Sequence, residues 1–197
     1  MTFDTKAIAS WAGDSQWRAL QADWTRFRSH GYTAWSCEGF WALAIYRVQR
    51  ILHSRRPAWL WIPARIVVGI LSRLFNAYAQ IHLSAYANIG PGTLIPHPGA
   101  IWINGLTTIG SGCTIFHGCT IGIGPLDGGA TIGDDVFLSC NTCILGPVKI
   151  GDNALIAANS LVISNVPAGA TAIGVPAKIV PKMWSSAQVS KASEAAR

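Results

Sequence analysis

Aliphatic side chains return every six residues through the second half of the chain. They stand at Ile89, Ile95, Ile103, Ile109, Ile115 and Ile121, then at Ile132, Leu138, Ile144, Ile150, Ile156 and Val162. Two extra residues enter the count near Ile101 and five near Pro125–Ala130. Four places after the aliphatic comes a small or β-branched residue: Thr93, Gly99, Thr107, Cys113, Cys119, Val136, Thr142, Val148, Ala154, Ser160 and Val166. One place before it stand Gly92, Gly112, Gly118, Asp135, Asn141, Asn153, Asn159 and Asn165. Gly, Asn and Asp enter the left-handed backbone region at the least cost. Each six therefore predicts a short strand with an inward aliphatic, a tight turn and a small corner residue. Three such strands close one triangular coil, and stacked coils pair their backbones at about 4.7–4.9 Å around a continuous apolar column.

Upstream the texture differs. Seven of the nine tryptophans lie at or before Trp61, glycines are few, and apolar residues fall at three- and four-residue spacing. Trp41, Leu43, Ala44, Tyr46, Val48, Ile51 and Leu52, with Arg47 among them, predict a helix with one buried face. A second helix is predicted after Pro63, with Ile66, Val67, Ile70, Leu71, Leu74 and Phe75 along one stripe. The run 57–71 is apolar enough to test as a membrane span. It contains Pro63 and Arg65 and falls short of the ~20 clean apolar residues a crossing needs. A buried or interfacial helix is expected instead. The aromatics are read as packing residues. The predicted organisation is a helical segment over 1–79, a coil domain over 80–180 and a short helical tail over 181–197.

Composition narrows the function classes. The chain has 197 residues, half of them hydrophobic and 12% charged, which excludes a disordered chain. The net charge of +6 is concentrated in residues 1–79, while 80–180 carry a small negative excess. A basic first segment suits an anionic partner or a solvated helical face; no nucleic-acid motif accompanies it. No basic region followed by an apolar run opens the sequence, so a cytoplasmic setting is expected, with peripheral membrane contact through the basic helical segment left open. Cys140 and Cys143 form a CxxC without two further ligands at matched spacing, so no metal is expected.

The sixfold pattern, the stretch NVPAGATAIGVPAKIV, and the segments IHLSAYANIGPG, IPHPGAIWIN and CTIFHGCTIG resemble the hexapeptide-repeat acyltransferases, and within them the serine acetyltransferase branch. The resemblance covers roughly residues 65–181. It implies a mainly β fold, a left-handed parallel β-helix behind an N-terminal helical segment. It also implies acetyl-CoA as co-substrate, O-acetylation, and a homotrimer with sites between neighbouring subunits, with pairing of trimers left open.

Acyl transfer to a hydroxyl needs a base for the hydroxyl proton and a donor for the oxyanion. Among five histidines, His97 and His117 occupy the same place in their sixes, two after Ile95 and Ile115. Their separation of twenty residues equals one coil plus the two-residue insertion, so both should project from one corner on adjacent coils. The resemblance places His97 at the general base of the family's Asp-His-x-x-Gly motif, with Pro96 where the aspartate stands. His117 matches a position usually Gln in the true serine enzymes. A similar PHP…IFH combination is common in serine-acetyltransferase-like proteins of polysaccharide synthesis. The resemblance also implies Gly122 and Gly124 beside the thioester, Cys140 and Ala158 along the pantetheine arm, and Lys178 near the nucleotide phosphates.

Three departures concern the acceptor side. Gln80 replaces the aspartate of an Asp-Ile-His-Pro motif, the loop that carries an Arg-His-Pro motif is shortened to residues 124–131, and the aspartate before His97 is missing. Gln80 and Asp127 are the candidate substrate-binding residues, and Asp127 or Glu38 the candidate substitutes for the missing carboxylates. The expected acceptor is accordingly a sugar hydroxyl of a polysaccharide or glycoconjugate. The alternatives are L-serine and, in another class, an inactive trimeric scaffold.

Overall fold

The computed structural model of the chain describes residues 15–55, 57–124 and 127–180. Among the described residues three α-helices come first: α1 (Ser15–Ser29), α2 (Glu38–Ser54) and α3 (Ile62–Ala79), with single 3-10 turns at Ala34–Ser36 and Ala58–Trp61. Fourteen short strands follow, from β1 (Ile81–Leu83) to β14 (Lys178–Val180). The predicted tail over 181–197 lies outside the described residues.

The strands form three sheets of a parallel β-helix. One runs β1-β3-β6-β9-β12, from Ile81–Leu83 through Ile101–Ile103, Thr120–Gly122 and Cys143–Leu145 to Leu161–Val162. The second joins β2 (Asn88–Ile89), β4 (Thr108–Ile109), β7 (Thr131–Ile132) and β10 (Lys149–Ile150). The third joins β5 (Thr114–Ile115), β8 (Phe137–Leu138), β11 (Leu155–Ile156) and β13 (Thr171–Ile173), and β14 folds back antiparallel on β13. Register follows the repeat: Ile121 pairs with Ile144, Ile109 with Ile132 and Leu138 with Ile156. The twelve repeat aliphatics are all at most 2% exposed, and burying each stabilises the fold by about 1.5–3 kcal/mol relative to exposure.

The corners follow the predicted chemistry. Gly118, Asn141 and Asn159 have φ of 75°, 57° and 58°, and the backbone N–H of each bonds one coil back, to Gly99, His117 and Cys140. Asn165 departs from the expectation. It is not among the left-handed residues, and its side-chain oxygen instead accepts the Lys149 N–H at 2.8 Å. Gly99 also departs: it is not a buried corner residue but part of the inserted segment, with φ 115°, followed by Ala100 at 50°.

In the helical region α2 buries Phe40, Leu43, Tyr46, Ile51 and Leu52. Its Gly39 lies so close to Ile95 that an added Cβ would overlap the Ile95 carbonyl, which fixes the helix against the first coil. Arg47 sits inside this apolar face, 1% exposed. It pairs with Asp23 of α1 at 3.1 Å and donates to the carbonyls of Ile89 and Gly90 at 2.6 and 2.7 Å. Asp23 also accepts the Thr93 N–H at 3.0 Å. Burial pushes the Asp23 carboxyl up from its ordinary range, and the Arg47 guanidinium opposes that shift.

Burial separates the alternatives left open for α3 and divides the aromatics. The stripe of α3 is not buried: Ile66, Val67, Ile70, Leu71 and Leu74 face outward, and the inward side carries Ser72, Ala79 and Arg65. The aromatics do not all pack. Trp24, Phe27 and Phe40 form an edge-to-face cluster that Trp35 and Trp41 join at its exposed rim, with centroids 5.0 and 5.8 Å from Trp24 and Phe40, whereas Trp17, Trp59 and Trp61 are exposed.

Candidate active site

The corner between the third and first sheets carries four residues in one column. The bridge Leu94↔Thr114 and the pairs Leu138↔Ile115 and Ile156↔Leu138 place His97, His117, Cys140 and Ala158 at the same step after their strands. The rings of His97 and His117 have centroids 6.3 Å apart and stand at 67°, and both residues are exposed in the isolated chain. The two inserted residues fall at this corner, between His97 and Ile101. There the Gly99 N–H bonds the Ala79 carbonyl at 3.0 Å and the Gly118 N–H bonds the Gly99 carbonyl at 2.8 Å. The insertion thus lengthens the turn that carries His97. Below the two imidazoles the column narrows to a thiol and a methyl group.

Other candidates fall into two groups. Gln80 ends α3 with φ 54°, and its carbonyl accepts the Ile101 N–H at 2.9 Å, which sets it one coil above the histidine corner. Lys178 opens β14 directly after the turn whose Gly174 and Ala177 bond Leu161, so it stands at the foot of the same column. Gly122, Gly124 and Asp127 lie elsewhere, at the opposite end of the first sheet's strands. There Gly146 N–H bonds the Gly122 carbonyl at 3.2 Å, and Gly124 lines a pocket of about 540 Å³ with Leu145 and Ile163. Within one protomer, then, Asp127 does not share a corner with the histidines. Glu38 is nearer, because its neighbours Cys37 and Gly39 abut Pro96 and Ile95.

Residues outside the sequence expectations join the site. His97 is flanked by Tyr32 and Phe116, with centroids 6.5 and 5.9 Å away. His82, which opens the first coil, stacks on Trp102 at 4.1 Å and 13°. Its Nδ1 lies 3.2 Å from the Asn76 amide, which also reaches the Ser72 and Ile81 carbonyls when its oxygen faces the imidazole. This stack and Gln80, Ala100 and Thr120 line a pocket of about 650 Å³. The signal was present in the sequence: His82 and Trp102 are also twenty residues apart and pair in register. His30 follows the end of α1, where its ring nitrogen Nδ1 lies 2.9 Å from the Arg26 carbonyl, and His53 lies at the end of α2.

The cysteines divide by burial. Burial pushes the Cys113 and Cys119 thiols up to about 12, so neither is a nucleophile at neutral pH. Cys143 is pushed up for the same reason. Cys140 stands in the column and Cys143 opens β9, so the CxxC follows from the repeat.

Comparison with known proteins bears on this geometry. Residues 129–164 match the bacterial transferase hexapeptide (six repeats) family. The serine acetyltransferase of Helicobacter pylori (strain J99) is 36% identical over 147 residues, spanning 73% of this chain and 82% of that protein. The chain belongs to the serine acetyltransferase family. A Neisseria gonorrhoeae member solved in complex with serine superposes with a TM-score of 0.73 at 25% identity, covering 89% of this chain and 72% of the other. A serine acetyltransferase solved with CoA gives 0.69 at 29% identity, covering 84% and 70%. The chain is therefore an acyltransferase with acetyl-CoA as its co-substrate. The exposed column, small where it descends from the histidines, is compatible with a slender thioester arm lying against the backbone.

Proposed function

We propose that the protein transfers acetyl from acetyl-CoA to the hydroxyl of L-serine. The observation that carries the reading is the column itself, with two imidazoles at its head, Cys140 and Ala158 below them and Lys178 at its foot. His97 accepts the proton of the acceptor hydroxyl as its oxygen attacks the thioester carbonyl. His117 donates a hydrogen bond to the resulting oxyanion. Collapse of the tetrahedral intermediate breaks the C–S bond, and the departing thiolate takes the proton back from His97. Gly122, Gly124 and Asp127 lie at another corner of the same protomer. The reading therefore includes assembly as an oligomer, a trimer, in which a neighbour's loop completes the cleft. The names of the relatives support serine as acceptor ahead of the glycan expected above.

A second reading keeps a specific observation. The pocket lined in part by Ala100, three residues after His97, also holds a neutral Gln80 and the flat His82–Trp102 stack, a surface that suits a sugar ring as well as an amino acid.

Initial rates with acetyl-CoA and a panel of L-serine, other hydroxy amino acids, monosaccharides and oligosaccharides separate the two. Turnover of L-serine above every sugar is expected, and turnover of sugars alone would overturn the serine assignment. His97→Ala should lower kcat at least ~100-fold with either acceptor; unchanged kcat would remove His97 from the mechanism. Acetyl-CoA should also slow alkylation of Cys140 by iodoacetamide, followed by peptide mass analysis.

A further inference from the structure

Helix α3 is built inside out. Its inward side is the polar one: Ser72 is buried, Asn76 faces His82, and Arg65 donates through Nε and Nη2 to the Leu52 carbonyl at 3.1 and 2.9 Å. Its outward side carries Ile66, Val67, Ile70, Leu71, Leu74 and Tyr78, each between 53% and 74% exposed. At 100° per residue these span about 140°, roughly two-fifths of the circumference, and Arg73 lies at one margin of that arc. The turn ahead of the helix adds Trp59, Leu60 and Trp61, all exposed, with Arg55 over the Trp61 ring at 6.0 Å.

We propose that this face docks onto the surface of an anionic lipid bilayer, with α3 lying in the plane of the interface. The segment Ala58–Ala79 is long and apolar enough to cross a membrane. However, one side of it packs on the protein through Ser72, Ala79 and Arg65, and Gln80 runs directly into β1. Crossing would strip Arg65 from its carbonyl and β1 from the first coil. A helix with an apolar face, tryptophans at its edge and arginines around it fits the interfacial class.

Charge decides between lipid and a second copy of the chain. No Asp or Glu occurs between Glu38 and Asp127, whereas Arg73 stands exposed at the margin of the face and Arg55 lies over the Trp61 ring beside it. A second copy set against this face would bring arginine to arginine with no carboxylate from that stretch to pair them. Phosphate headgroups supply the missing charge, and each arginine near such a surface adds to the attraction. The arc is also wider than the narrow seam that two packed helices share.

The test is vesicle flotation of the full chain. Wild type should float with vesicles containing phosphatidylglycerol, weakly with pure phosphatidylcholine, and less as salt rises. Ile70→Glu with Leu74→Glu should lower the bound fraction at least ~10-fold, with circular dichroism and acetyl-CoA turnover unchanged. Brominated phosphatidylglycerol should quench wild-type tryptophan fluorescence, a readout that needs no variant. Wild type that floats with neither vesicle, or a folded double variant that floats as wild type does, would overturn the proposal. So would loss of subunit association in the double variant while wild type binds no vesicle, because the face would then belong to a second copy.

Discussion

The helical region and the β-helix are stabilised in opposite ways. In the coils, stability is spread over a column of equivalent aliphatics, each bonded to its neighbours above and below, and the interior contains no charge. The helical region is joined to the first coil by a concentrated polar contact. Arg47 and Asp23, 1% and 0% exposed, bind each other and four further groups from Gln16, Ile89, Gly90 and Thr93. A repeat tolerates local loss because the remaining coils still stack, whereas a buried ion pair fails as a unit once one member is removed.

This difference can be broken at its strongest point. Arg47→Met should destabilise the chain by about 3–5 kcal/mol in urea titration, because the Asp23 carboxyl is left buried and unpaired. Adding Asp23→Leu should recover most of that loss, which would show that the penalty lies in the unpaired charge. Ile121→Ala, in the middle of the coils, should cost about 2–5 kcal/mol, set by the cavity that remains. Unlike Arg47→Met, it should leave the fluorescence of the Trp24 cluster unchanged until global unfolding. The smallest effect is expected at a corner: Asn159→Ala should cost about 1–2 kcal/mol, the penalty of the left-handed backbone for a residue with a Cβ and no local hydrogen bond. Asn165→Ala should carry no such backbone penalty and instead lose the hydrogen bond that its side chain accepts from the Lys149 N–H.

The same contrast explains what could be read from the sequence. Every rung repeats one geometry, so the sixfold pattern identifies strands, corners and interior, and the twenty-residue offset brings His97 to His117. Periodicity alone does not say which side of α3 faces the body, because the polar groups that turn it over, Arg65 and Asn76, find partners in Leu52 and His82 that follow no repeat. Arg47 looks like an interruption in an apolar stripe until Asp23, 24 residues away, is placed beside it. The pocket lined by Gln80, His82 and Trp102 was hidden for another reason. His82 and Trp102 do not share the sixfold place of His97 and His117, although the same twenty-residue offset pairs them in register. Glu38, a carboxylate from α2, is brought toward the His97 segment by the packing of its neighbours Gly39 and Cys37 on Ile95 and Pro96.

The reversed direction of β14 has a consequence for solubility. A stack of parallel rungs ends in a ledge of unsatisfied amides and carbonyls onto which another chain can crystallise, and repetition of that step makes a fibre. By doubling back on β13, the chain occupies that ledge in the third sheet with its own backbone and presents Lys178 outward, so the spiral closes its own growing edge there.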